Sequence, residues 1–248
     1  MADYNTYRSA QSVGTRTGVY DEGLRAYMNK VYGLMAVGMG VTAVAAFGIS
    51  TAAVDASGQL TQLGQAVYAS PLKWVIMFAP LLMVFAFGAA LNRLSVQGAT
   101  FLFYGFAALM GLSISSIFLV YTPFSIVQTF LVTAIAFAGL SLWGYTTKKD
   151  ISGWGSFLIM GVIGLIVASI VNIFLKSTGM QFAISILGVL IFAGLTAYDT
   201  QNIKNTYLRM QNSDADFIGK AAIMGALQLY LDFLNLFMFL LQFMGNRN

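Results

Sequence analysis

Two aspartates in this chain stand where a carboxylate is costly. The stretch ALQLYLDFLNLF, residues 226–237, is apolar apart from Gln228, Asp232 and Asn235. Of the nine acidic residues, only Asp199 and Asp232 fall at or inside a long apolar run. Gln228, Asp232, Asn235 and Gln242 recur at spacings of four, three and seven, which on a helix is one face. Ser185, Gly188, Thr196 and Asp199 form a second such face upstream, at spacings of three, eight and three. An intramembrane polar stripe faces a bundle interior or a water-filled cavity, not lipid. Two carboxylates at hydrogen-bond distance in a low dielectric do not both ionise easily. They share a proton and titrate as a pair. The expected chemistry is therefore proton sensing by Asp199 and Asp232, with Gln228 and Asn235 extending a polar pathway. The alternative for polar residues in membrane helices is simple helix–helix cementing. That reading suits Thr129, Thr133, Asn172 and the Ser113, Ser115 and Ser116 group, while for Gln228, Asn235 and Gln242 both readings stand.

Composition narrows the setting. The 248 residues are 58% hydrophobic and 9% charged, against about 25% charged in an ordinary soluble domain. Mean hydropathy is +0.76. This is the composition of an integral membrane protein. With no Cys and no His, disulfides, thiol catalysis, Cys/His zinc sites and the commonest general base are all excluded. The net charge of +4 has no dense basic patch behind it and does not point to nucleic acid. An intramembrane aspartyl protease would use two such aspartates, and Tyr198-Asp199 matches its first motif. However, Leu229-Tyr230-Leu231 stands before Asp232 where that class needs Gly-x-Gly. No enzyme is expected.

Helices must position the pair. A spanning helix needs about 20 apolar residues, and charges cut the chain into such units. The expected all-α fold is a seven-transmembrane-helix bundle with spans at about 31–54, 74–92, 97–120, 124–146, 153–175, 179–199 and 221–246. The break at Tyr121-Thr122-Pro123 divides the third span from the fourth. Residues 1–23 read as a polar, disordered tail without a signal peptide, and 24–248 as the membrane domain. A polar loop is expected over 201–220. Ten Lys and Arg fall on the N-terminal side and three (Lys73, Lys176, Arg247) on the other. The N-terminus is thus expected in the cytoplasm and the C-terminus outside. Depth tests the pairing of the acids. Asp199 closes the sixth span, so Asp232 meets it only if residues 221–227 are a helical extension beyond the membrane.

Three strings carry a resemblance. Ala197-Tyr198-Asp199-Thr200-Gln201, Leu229-Tyr230-Leu231-Asp232-Phe233-Leu234-Asn235 and Gly144-Tyr145-Thr146-Thr147-Lys148 resemble the Bax inhibitor-1 family, most closely its bacterial YccA/YbhL-like branch. The likeness covers residues 24–248. It implies seven helices with the seventh central, a bacterial inner membrane, and a pH-sensitive calcium leak whose di-aspartyl sensor matches Asp199 and Asp232. It implies a basic latch on the second helix, for which Arg93 is the nearest residue. It implies no resident cofactor: calcium and protons would be permeant or regulatory, with a transient calcium site at the two aspartates. Beyond the lipid bilayer, the implied partner is a membrane protease of the FtsH type. The alternative function is a non-conducting interaction protein that modulates such a protease or a stress or cell-death response.

Overall fold

The computed structural model describes residues 3–91 and 93–247, with side chains described from Glu22 onward. The elements in order are α1 (Asp3–Ala53), α2 (Gln62–Gly64), a π turn (Gln65–Ala69), α3 (Leu72–Leu91), α4 (Val96–Ile114), α5 (Ile117–Val120), α6 (Pro123–Thr146), α7 (Trp154–Leu175), α8 (Thr178–Met210) and α9 (Ala215–Met244). Among the described residues there is no strand, only isolated bridges. Among the described residues, seven helices are long and apolar enough to cross a membrane. The expected all-α, seven-span architecture is the observed one.

Local chemistry sets the breaks. Ser95 caps α4 by accepting from Gly98 N, and Thr122 caps α6 by accepting from Ser125 N with Pro123 in the first turn. Ser177 caps α8, following Lys176, which ends α7 at a left-handed φ of 50°. Between α1 and α2, Asp55 accepts from Ser57 and Gln59, and Gly58 takes a φ of 81°. The Ser57 and Gln59 donors hold the Asp55 carboxyl below the ordinary carboxylate range.

α9 is the axis of the bundle. Of its most apolar window 61% is buried, against 11–39% in the other six spans. It packs on α8, α1, α6 and α4, while α3 leans on α4 and α7 on α8 at the rim. Its buried face carries Leu229, Tyr230, Phe233, Leu236, Phe237 and Leu241.

The expected loop over 201–220 is not there. α8 continues to Met210 and α9 begins at Ala215, so the connection is residues 211–214. At 1.5 Å per residue these helices are about 50 and 45 Å long, longer than the ~30 Å hydrocarbon core. Their common end packs on α1, where Tyr27 stacks on Tyr207 with ring centroids 4.7 Å apart. Polar composition misled the reading. Ile203 and Tyr207 keep a four-residue spacing, no Gly or Pro interrupts the segment before Gly219, and only Asn212-Ser213-Asp214 is a turn signal. Helical backbone also runs through the stretch expected as a tail, as far as Asp3. Residues 1 and 2 of that tail lie outside the described residues.

Candidate functional site

The structure brings the two aspartates together. Asp199 on α8 and Asp232 on α9 bring their carboxyl groups close enough to share a hydrogen bond. A carboxylate only accepts, so such a bond forms when one of the two holds a proton. Asp232 is 4% exposed, and among the described residues no hydroxyl, amide or basic group donates to its Oδ2. A buried acceptor with no such donor is costly, and native folds contain few of them. Asp199 is half-buried.

Around Asp199, α8 is tied to α6 and to the α6–α7 connection. Thr200 Oγ1 donates to Thr196 O at 2.7 Å. Its single proton is thereby used, so Ser141 of α6 donates to Thr200 at 2.8 Å, and Tyr32 of α1 donates to Ser141 at 2.6 Å. Gln201 pins the α6–α7 connection: its Oε1 accepts from Ile151 N at 2.9 Å and its Nε2 donates to Lys149 O at 2.8 Å. Lys204 Nζ donates to Tyr145 O at 2.7 Å. Gly144 supplies the close approach of α6 and α8, since any Cβ there would collide with the Ala197 carbonyl. Apart from Thr196, these residues do not follow from spacing in the sequence. Isolated hydroxyls on three distant segments carry no period, and only Thr200, Gln201, Gly144 and Tyr145 fall within the strings that carry the resemblance.

The other expected members are less engaged. Asn235 donates to Leu231 O of its own helix at 2.8 Å. Gln228 is half-buried. Arg93 is exposed in the turn after α3, and among the described residues it forms no ion pair with either aspartate; the ion pair there is Lys220 with Asp216. No group of three Asp, Glu, His or Cys side chains suited to a metal ion occurs among the described residues. The two carboxyls, Asn235 and backbone oxygens could hold calcium only in passing, because that ion takes six to eight oxygens.

The polar stripe of α9 is interrupted. Phe239 stands seven residues after Asp232, two helical turns along the same face. Its ring lies over Gly188 of α8 and stacks on Phe192, with centroids 5.7 Å apart. Leu158, Leu165, Leu195 and Leu236 complete an apolar plug. Beyond it Gln242 opens into a polar pocket of about 460 Å³ with Asn172, Lys176 and Gln181. The order along the α7–α8–α9 seam is therefore buried acid pair, apolar plug, polar mouth.

Sequence comparison places these features in a lineage. The family model described as "Inhibitor of apoptosis-promoting Bax1" matches residues 24–248. The chain is 49% identical to an uncharacterized protein of Caulobacter vibrioides, over 91% of this chain and 90% of that one. It is 43% identical to an uncharacterized protein of Rickettsia prowazekii, over 97% and 98% of the two chains. It is 44% identical to the inner membrane protein YbhL of Escherichia coli K12, over 91% and 93%. The matched span takes in all seven apolar helices and both aspartates, and the chain belongs to the Bax inhibitor-1 family of integral membrane proteins.

Proposed function

We propose that the protein is a proton-regulated cation leak, with calcium the principal ion, in the inner membrane of a bacterium. The observation that carries this reading is the close approach of Asp199 and Asp232, one on the central helix and one on its neighbour. With one proton between them, the carboxyls hold α8 against α9 beside the apolar plug, in a closed form. A second proton leaves both groups neutral, and loss of the shared proton leaves two like charges in contact. Either change weakens the link and shifts the population toward an open form, by no more than the difference in proton affinity between the two forms. The two carboxylates then supply the anionic step for a permeant cation, after the plug at Phe239 has moved.

The test is calcium flux into liposomes holding the purified protein, across a range of pH. A pH-dependent flux that Asp232→Asn flattens supports the proposal. A pH response equal to the parent's in that variant contradicts it.

A second reading has its own observation. The polar mouth at Gln242 carries Lys176 and no carboxylate among its lining residues, an environment that does not recruit a cation. A non-conducting membrane partner, such as a modulator of an FtsH-type protease, needs no such recruitment. Its handle would lie in the polar N-terminal residues. Deleting residues 1–20 distinguishes the two, since a leak survives the deletion and binding through that segment does not.

A further inference from the structure

A groove separate from the acid pair lies between α1 and α6. Both helices pack on α8 and α9 and leave a groove of about 490 Å³ between them. Its walls include Arg25, Asn29 and Tyr32 of α1 and Phe137, Ala138 and Tyr145 of α6. The chemistry is graded along its length. Because the two helices are antiparallel, Arg25, Asn29 and Tyr145 meet at one end. The Tyr32–Ser141 hydrogen bond bridges the two helices further in, and Phe137 and Ala138 supply the apolar wall beyond it. From Arg25 to Tyr32 is seven residues, about 10 Å along a helix.

Arg25 is exposed and forms no ion pair among the described residues. Lys148 and Lys149 follow α6 at the same end. A cationic end, a short polar collar and an apolar slot in sequence match an anionic phospholipid: phosphate, glycerol ester, acyl chain. Basic pockets between transmembrane helices take such headgroups. A second copy of the chain would need an apolar ridge to enter the slot. We infer that the α1–α6 groove is a site for one anionic phospholipid, its phosphate on Arg25 and one acyl chain along Phe137 and Ala138. This holds whether or not the protein conducts ions.

The full chain, purified and stripped of lipid, is titrated in native mass spectrometry with phosphatidylglycerol, with phosphatidylcholine of the same acyl chains, and with free glycerol 3-phosphate. The variants are Arg25→Gln and Ala138→Phe. Both sites are exposed, so neither change opens the core. The expected result is one retained phosphatidylglycerol per chain, preferred about five-fold over phosphatidylcholine, the effect of one basic residue near the headgroups. Arg25→Gln removes the preference while keeping the lipid, and Ala138→Phe weakens both lipids. Equal retention of both lipids by the parent would overturn the headgroup assignment. Unchanged binding in Ala138→Phe would overturn the groove. Glycerol 3-phosphate bound as tightly as the lipid would reduce the site to a phosphate contact and overturn the acyl seat. A dimer that excludes lipid would assign the face to a second copy and overturn the proposal outright.

Discussion

Tyr230 and Asp232 stand two residues apart on α9, both buried and both polar, and their surroundings differ in kind. Thr42 Oγ1 donates to Ala107 O at 2.8 Å, which leaves the Tyr230 hydroxyl to donate to Thr42 at 2.6 Å. Phe103 and Phe106 of α4 meet the Tyr230 ring edge-on at 5.6 and 5.8 Å. Every proton on that face has an acceptor, and the face fixes α1, α4 and α9 as one block. On the opposite side Asp232 faces a second acid, and its Oδ2 has no conventional donor. Satisfied buried networks rigidify, whereas a partly satisfied one is sensitive to the gain or loss of a single proton. The contrast separates a fixed half of the bundle (α1, α4 and the adjoining face of α9) from a poised seam between α8 and α9.

The comparison can be broken from either half. The largest effect is expected at Gly144, where α6 holds the backbone of α8 two residues before Asp199. Gly144→Val forces the two helices apart and should cost about 3 kcal/mol or more, as overpacking of a close contact does at its upper range; a thermal melt in detergent checks it, and an unshifted midpoint would show that α8 is not clamped. Phe239→Ala comes next. Removing the ring over Gly188 thins the plug without touching the acids, so basal calcium flux should rise several-fold while its pH dependence persists. Unchanged flux would place the barrier elsewhere. Tyr230→Phe removes one donor from the fixed face. The loss should be near the ~0.6 kcal/mol average for hydrogen bonds between membrane helices, with the pH response of flux intact. An altered pH profile would mean that the two faces are not separable. The smallest effect is expected at Asp55. Its carboxyl is held below the ordinary range by Ser57 and Gln59, so the turn gains from the charge above the unfolded value of about 3.9. That gain is lost only as pH falls through the still lower folded value. Hydrogen-exchange protection factors at residues 55–61, taken relative to the intrinsic base-catalysed rate, should therefore stay constant between about pH 5 and 8; a change there would make this turn a rival pH-responsive element.

Much of the poised half was legible in the sequence. Charges at Arg93, Lys148 and Lys176 mark span ends because an ion does not stay in hydrocarbon, and Asp232 stood out for the same reason. The period of four and three put Gln228, Asp232 and Asn235 on one face, and the depth argument paired Asp232 with Asp199. What escaped was contact between distant segments. Nothing periodic connects Tyr32, Ser141 and Thr200, and a glycine such as Gly144 shows no partner until the Ala197 carbonyl is placed against it. Phe239 is apolar, and only its seven-residue spacing from Asp232 places it on the polar face. The polar 201–220 segment was read as loop because composition outweighed its intact helical spacing.

The most direct test of the pair as a single proton-sharing unit is a double-mutant cycle on the pH profile of calcium flux. Asp199→Asn, Asp232→Asn and the double variant are compared with the parent in the same liposomes. Residues that act as one unit are non-additive. The expected result is that either single change abolishes the pH response and the double change adds nothing further. Independent, additive losses, each single variant retaining part of the response, would contradict the shared proton.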